Sequence, residues 1–465
     1  GATADGFSFA ILLGIIGTFM FFYSLSGIAL KLIQINKNIY LKNLNIFVLR
    51  QTNSKINTTV FSMSIICLLL FFTICIFSSA MSLNNSLTAQ LKTLNPADIT
   101  ITKQYNLPEK YTNSSGKVTM EYSEEQRKDS LIPIMESLES AGFDKSNFSD
   151  YVEIGQYRVE DITPKETMGT VLSEMQSDFP ALQVDYPETI IKVSDYNKLQ
   201  KLYGREEITL NDNEYVMVCN YEAMKEYRDE ALKNGTTLTI DGKEFVPKFD
   251  ECIDTIISIS TQPMETGTII LPDEAVKDEW KFYMLLSANY VGQTDDEKQA
   301  VEDKLIDVSE EDSTVNQVVF ENMTAFTKIT NYEASVGISA TVTFIGLYLG
   351  IIFLISSSAI LALKELTDSS DNKERYKILR RIGADEKMIN KALFKQIGIF
   401  FMIPLLLAIV HSIFGMKVAS IILEVFGKQD IFSSIILTAI FMVLIYGGYF
   451  LATYFGSKSI IKEEN

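Results

Sequence analysis

The residue types that most often carry chemistry are scarce in this chain. It has one histidine, His411, and that residue lies inside a long apolar stretch. No His-based nucleophilic triad and no His-rich zinc site can therefore be built in the polar part of the protein. For His411 itself, a hydrogen bond between packed helices is preferred over a ligand or proton-relay role. Nucleotide hydrolysis through a P-loop needs Gly-x-x-x-x-Gly-Lys-Ser/Thr, whose backbone amides and lysine cradle phosphates. Gly242-Lys243 lacks the earlier glycine and is followed by Glu244. Asp295-Asp296-Glu297 does not have EF-hand spacing and reads as the solvated start of a helix. No cofactor and no metal is called for, and the expectation is a non-enzymatic chain that draws energy from a partner. Cys67 and Cys75 fall in an apolar run, Cys219 and Cys252 in a polar one. The latter two can pair or stay free, because separation along the chain does not supply bridge geometry.

What holds these residues is an alternation of apolar runs with one long polar block. A helix crossing a bilayer needs roughly 20 apolar residues. Five stretches meet that demand, at 7–34, 57–82, 336–363, 396–416 and 431–455. The first is too long for a secretory signal and has no basic flank before it, so it reads as a span. Short Lys/Arg-rich loops stay in the cytoplasm. The first connector holds Lys31, Lys37, Lys42, Arg50 and Lys55 with no acidic residue; the second, 364–395, holds nine basic and six acidic groups. Both are expected inside, which puts the N-terminus outside, the polar block outside and the C-terminus in the cytoplasm.

Residues 1–82 are expected to form two helices joined by the basic connector, 83–335 an acidic extracytoplasmic α+β domain, and 336–465 three further helices. The flanks hold five basic and one acidic group, and thirteen basic and ten acidic groups. Of the chain's net charge of −18, the block therefore carries −25. Such a surface repels nucleic acid and favours cationic ligands such as basic or amphipathic peptides; simple solubility is the plainer account. Within the block, Glu214–Asn220 and Thr268–Leu271 read as strands, and Thr236–Phe245 as a hairpin around Asp241-Gly242. Ser123–Ala141, Glu222–Asn234 and Asp295–Leu305 read as helices, and Lys103–Tyr122 as a flexible loop.

The second connector, 369–395, is patterned to receive a partner. Ser369-Ser370-Asp371 offers caps for a helix through about Ile382, Gly383 suits its left-handed stop, and Asp385 can cap the next helix. Tyr376, Leu379 and Gly383 recur at helical spacing, Ile378 and Ile382 form a neighbouring row, and Arg375, Arg380 and Arg381 flank the stripe. This helix can dock on a soluble subunit or lie on membrane lipid. In the first connector, Leu44–Gln51 reads as a short interfacial anchor ahead of Asn57-Thr58-Thr59. Pro404 is expected to kink its helix.

The stretch Leu363–Gly415 resembles the C-terminal region of FtsX-like ABC transporter permeases, most of all the bacitracin-export (Bce) type. The carriers are Glu374-Arg375-Tyr376, Ile378 through Ala384, Lys395-Gln396, Pro404 and His411-Ser412; Phe47–Thr58 is similar to the element that enters the membrane just before the outer domain. The resemblance implies a membrane core of five helices, with the large α+β domain inserted between the second and third. It implies a cytoplasmic ABC ATPase as partner, with Arg375, Tyr376, Ile378, Leu379, Arg380, Arg381 and Gly383 forming the coupling helix. It further implies mechanotransmission to the outer domain, handling or sensing of peptide antibiotics or lipid-linked ligands at the cell envelope, and signalling to a membrane histidine kinase. Members carry ten helices, and the five here match the sixth to tenth, so either an N-terminal permease half is a separate partner chain or this is a truncated or divergent form. Two alternatives stay open: a non-transporting membrane receptor, and a lipoprotein- or division-type mechanotransmitter. Ligand-contact residues are unknown at this level. Leu379→Glu is expected to weaken association with the ATPase without blocking membrane insertion, measured by co-purification.

Overall fold

The computed structural model describes residues 4–35, 41–112, 118–179, 184–308, 318–320, 323–423, 426–427 and 431–462. In chain order these form α1 (Ala4–Ile35), α2 (Asn45–Leu94), β1 (Ile99–Gln104), β2 (Lys110–Thr112), β3 (Val118–Glu121), α3 (Glu124–Asp129), α4 (Ile134–Ser140) and β4 (Phe148–Tyr157). There follow α5 (Pro164–Met168), α6 (Leu172–Asp178), β5 (Thr189–Lys192), α7 (Val193–Leu202), β6 (Glu214–Val218), α8 (Glu222–Lys233), β7 (Leu238–Ile240) and β8 (Lys243–Pro247). The last group is β9 (Thr268–Leu271), β10 (Lys281–Tyr290), α9 (Asp295–Asp307), β11 (Val318–Phe320), β12 (Met323–Thr327), α10 (Lys328–Asp371), α11 (Lys373–Arg381), α12 (Glu386–Leu423) and α13 (Ile431–Ile461). They fall into two units: Ser86–Ser339 with Glu424–Lys428, and Ala2–Asn85 with Ala340–Leu423 and Gln429–Asn465.

In the helical unit the long helices are apolar on most faces, as a lipid environment requires. Four helices of the chain are long and apolar enough to cross a membrane, in the segments Thr59–Leu94, Lys328–Asp371, Glu386–Leu423 and Phe432–Ile461. In α1 the apolar stretch described is Phe9–Leu25. The chain is thus a membrane protein carrying a mixed α/β domain. Its helices pack through Phe22, Met63, Ile66, Leu70, Leu361 and Phe400 among others. Close approach is secured by small residues, as is common between membrane helices. A Cβ at Gly346 would overlap Ala80, and one at Gly415 would crowd Phe71 and Cys75. Ser78 and Thr438 share a hydrogen bond of 2.8 Å between helices. Pro404 lies inside α12 and removes one backbone donor. One turn earlier, the Tyr446 hydroxyl donates to the Phe401 carbonyl at 2.8 Å. His411 packs its ring edge-on against Phe71, with centroids 6.2 Å apart, where a hydrogen bond was expected.

The expected break between Leu44–Gln51 and the following span is absent: α2 runs unbroken for 50 residues. Neither glycine nor proline occurs between Asn45 and Leu94, so nothing stops the helix until Asn95-Pro96.

The other unit is built on a ten-stranded mixed sheet in the order β11-β12-β1-β10-β4-β5-β9-β6-β8-β7, with β2 and β3 forming a separate hairpin. One face is covered by α5, α6 and α8 through Met168, Met175, Met224 and Leu232. On the opposite face α7 buries Tyr196 and Leu199, and α4 and α9 close the β1–β10 end through Leu138 and Leu305. Thr268–Leu271 stands as read from sequence, the strand read at Glu214–Asn220 ends at Val218, and the hairpin read at Thr236–Phe245 pairs Leu238–Ile240 with Lys243–Phe245; Asp241 and Gly242 both have positive φ, 51° and 78°, as a tight hairpin turn demands. Two expectations are corrected. Ser123–Ala141 is two helices, because Pro133 starts α4 afresh. Lys103–Tyr122 is not one loop: Lys103 and Gln104 belong to β1, and Lys110–Thr112 pairs with Val118–Glu121. Asn113–Gly116 lie outside the described residues. The fully buried Lys103 ammonium donates to the Asp129 carbonyl at 2.8 Å and Ser137 Oγ at 2.6 Å, and pairs with the Asp129 carboxylate at 2.9 Å. A second buried cation, Arg228, meets Glu188 at 2.7 Å, with both side chains 1% exposed.

Strands β1 and β12 are neighbours, and each continues into a long helix. A set of buried polar side chains closes this root. Asn95 donates to the carbonyls of Leu91 and Ser260 (3.0 and 3.1 Å) and accepts from Asn331 at 2.7 Å. The Asp98 carboxylate accepts from Lys298 at 2.8 Å and from the Tyr290 amide at 2.9 Å. Glu302 accepts from the Thr327 and Tyr290 hydroxyls at 2.5 and 3.3 Å. Thr327 also accepts from the Thr330 amide at 3.1 Å, capping the first turn of α10.

Burial raises the pKa of Glu302 above the ordinary glutamate value. Its ionised form is therefore disfavoured in the folded protein, by a penalty present above the folded pKa and absent below the unfolded value of about 4.3. Glu302→Gln is expected to raise the urea midpoint of this unit at pH 8, with the gain shrinking as pH falls and gone near pH 4. Trp280, the sole tryptophan, reports the transition by fluorescence; a pH-independent difference would contradict the assignment.

Candidate docking surface

Helix α11 is short, carries five basic residues, Lys373, Arg375, Lys377, Arg380 and Arg381, and ends in a glycine stop. Gly383 has φ 91°, and its amide and that of Ala384 donate back to the carbonyls of Arg380 and Leu379 at 3.0 and 3.1 Å. This left-handed ending is one that a side chain resists. The next helix starts where Asp385 accepts from the Met388 amide at 2.6 Å, and the Arg380–Glu386 ion pair at 2.5 Å ties the turn together. Ser369-Ser370-Asp371 does not cap α11. These residues belong to the last turn of α10, where the Ser369 hydroxyl donates to the Glu365 carbonyl at 2.8 Å. Asn372 stands between the two helices, and its amide donates to the Asp368 carbonyl at 2.6 Å.

The seven residues singled out from sequence divide into two groups. Tyr376 and Leu379 are buried in the helical unit's own core, with exposures of 1% and 8%. The Tyr376 ring stands edge-on to Phe47 at 5.5 Å, and its hydroxyl donates to Gln396 at 3.1 Å. Arg380 is half-buried and occupied by Glu386. Arg375, Ile378, Arg381 and Gly383 face outward, as does Ile382, which had been placed in the neighbouring row. Ile378 is 54% exposed and Ile382 73%. Positions 375, 378 and 382 lie one above another on a helix, so one exposed face carries a guanidinium and two isoleucines, with Arg381 beside it.

Sequence reasoning had set Leu44–Gln51 apart from this helix. Phe47 lies against Tyr376, and Asn45 accepts from Lys395 of α12 at 2.8 Å. The signal available was the apolar pair Leu44 and Phe47, spaced for one helix face. Among the described residues no group of three or more His, Cys, Asp or Glu side chains is placed to hold a metal ion.

No protein-family model matches the chain. Individual proteins do. The chain is 28% identical over 124 residues to the ABC transporter permease protein YxdM of Bacillus subtilis, covering 27% of this chain and 18% of that one. It is 30% identical over 159 residues to the uncharacterized ABC transporter permease YvcS of the same organism, covering 34% and 23%. It is 28% identical over 165 residues to the bacitracin export permease protein BceB of Halalkalibacterium halodurans, covering 34% and 25%. This chain is a relative of ABC transporter permeases, those of the bacitracin-export type among them. The matched stretches span between about a fifth and a quarter of the relatives' own length.

The two-faced α11 separates anchoring from surface. Leu379→Glu puts a carboxylate into the core and is expected to lower the thermal midpoint of the detergent-purified chain severely. Tyr376→Phe should cost about 1 kcal/mol for the lost hydrogen bond, while Ile382→Glu should leave the midpoint unchanged. Size-exclusion thermostability measures all three, and equal losses at 379 and 382 would refute the division.

Proposed function

We propose that this chain forms part of an ABC transporter permease and that α11 is its docking element for a separate cytoplasmic ATPase. The observation that carries this reading is the exposed row Arg375, Ile378 and Ile382 on a helix anchored by its opposite face. Two isoleucines held in water beside two arginines are costly to leave uncovered, and an apolar centre with a charged rim is the composition of a protein interface. Tyr376, Leu379 and Gly383 position that surface, and Arg380 braces the turn. Leu379→Glu thus tests anchoring, and the contact itself is tested at 378 and 382.

In this proposal the basic connectors lie in the cytoplasm, α1 is a fifth membrane helix, and the sheet unit faces outward with the N-terminus. The partner chain supplies hydrolysis, and the work appears at the outer domain. The net −25 of residues 83–335 favours encounter with cationic or amphipathic peptides over nucleic acid. The bacitracin-export relatives point to peptide antibiotics or their lipid-linked targets as the ligand class. An N-terminal permease half and a membrane histidine kinase complete the assembly proposed.

The test is affinity purification from native membranes in mild detergent, followed by mass spectrometry. Wild type is expected to bring down an ABC ATPase. Each isoleucine buried at a contact is worth about 1.5–3 kcal/mol, so Ile378→Ser with Ile382→Ser should reduce ATPase recovery at least about tenfold, with unchanged chain levels. Undiminished recovery in the double variant would remove the docking role from α11. Recovery of wild type with a histidine kinase and no ATPase would replace the transporter by a receptor.

A further inference from the structure

Cys219 and Cys252 are unlinked thiols, both buried, at 0% and 7% exposure. The fold nevertheless turns both into one core, from diagonal positions on two bridged segments. Val218, the last residue of β6, forms a parallel bridge with Ile253. The Cys219 amide donates to the Ile253 carbonyl at 3.2 Å, and the Ile253 amide to the Met217 carbonyl at 2.9 Å. Successive residues of extended chain point to opposite faces, and the packing follows that rule on both segments. Val218 and Ile253 belong to the core on the α7 side of the sheet, whereas Cys219 and Cys252 belong to the core under α8. The two thiols are near enough for each to shift the other's ionisation. The Cys252 backbone is held in turn by α8, where Asp229 accepts from its amide at 2.7 Å.

We propose that Cys219 and Cys252 are a disulfide-forming site, oxidised by a protein disulfide donor while the sheet unit folds. The proposal rests on the outward placement of that unit, since disulfides form and persist outside the cytoplasm. The bridge encloses α8 and the β7–β8 hairpin, and so ties the outermost strands of the sheet to β6.

The chemistry needs two exchanges. The Cys219 Sγ donates to the Tyr221 carbonyl at 3.8 Å, and Cys252 and Arg228 lie close enough to favour negative charge on it. Cys219 is therefore held below the ordinary thiol pKa, and the neighbouring Cys219 together with burial pushes Cys252 up. As thiolate, Cys219 attacks one sulfur of the donor disulfide, forming a mixed disulfide and expelling the donor's other sulfur as a thiol. Cys252, losing its proton, then attacks the Cys219 sulfur and releases the second donor sulfur as a thiol. Two electrons pass from the cysteines to the donor disulfide, and their two protons end on the donor thiols. Burial of both sulfurs confines the exchange to the folding chain and shields the product from reductants afterwards.

The test counts free thiols on the full-length chain. Cells are quenched in acid, and the protein is denatured and treated with a polyethylene-glycol maleimide before and after reduction. Cys67 and Cys75 should be labelled in both samples, and Cys219 and Cys252 only after reduction. A parallel variant, Glu207→Cys at an exposed site, is probed on intact cells with a membrane-impermeant maleimide. Labelling at 207 with all four native thiols free before reduction overturns the bridge and leaves the outward reading standing. Protection at 207 with four free thiols overturns both. Reductant should also lower the urea midpoint of wild type, read by Trp280 in the same core, and leave Cys219→Ala with Cys252→Ala unmoved; an equal response in both would count against the bridge.

Discussion

The sheet unit depends on how two helices leave it. Strands β1 and β12 lie side by side, so the end of α2 and the start of α10 emerge next to one another from a single edge of hydrogen-bonded backbone. Burying that root hides carboxylates, amides and hydroxyls from water, and each must find a partner inside or cost about 1–3 kcal/mol. Asn95 spends its amide hydrogens on Leu91 and Ser260, and its oxygen on Asn331. Asp98 is met by Lys298 and the Tyr290 amide, and Glu302 by Thr327 and Tyr290. One residue of slippage of β12 would unpair Asn95 from Asn331 and Glu302 from Thr327. The register of the central strands and the origin of both helices are therefore specified together, and the rest of the sheet builds outward from β1 and β10.

Exposed apolar residues carry different meanings along this chain. Phe344, at 69%, and Val443, at 72%, lie in helices of membrane length, where lipid tails are as apolar as the side chains and no partner is implied. Ile382 has comparable exposure, but on a nine-residue helix with five basic groups. Its surroundings differ from those of a spanning segment, because the guanidinium groups beside it need polar acceptors. The helix withstands such a load because Tyr376 and Leu379 fix its other face, and Gly383 and the Arg380–Glu386 pair fix its end.

Legibility in the sequence followed the range of the interaction. The hairpin at Asp241-Gly242 was legible because only φ-tolerant residues suit the turn, and the stop at Gly383 for the same reason. Strand β9 was legible because three apolar residues in a row, Ile269, Ile270 and Leu271, fit a strand buried on both faces. Lys103 was misplaced into a loop because a buried lysine is rare, and its partners Asp129, Ile132 and Ser137 lie on segments 26 to 34 residues away. On α11, helical spacing grouped Tyr376 with Leu379 correctly. Periodicity does not say which stripe turns inward, and that was settled by Phe47 from a distant helix. The caps at 369–371 failed because nothing in Glu365–Asp371 ends the preceding helix, so α10 runs through them.

The strong negative charge of the sheet unit is set by its composition. Twelve of its basic residues are engaged in ion pairs among the described residues, from the buried Lys103 and Arg228 to the exposed Lys110 and Lys128. Lys298 serves the helix root, Lys225 braces Asp229 within α8, and Lys192 reaches Asp278 next to the Trp280 core. Each pair consumes one carboxylate as well, so ion pairing leaves the acidic surplus unchanged. A field of that kind acts over about 10 Å at 0.1 M salt. It raises the arrival rate of cations and discourages polyanions, but it contains no geometry.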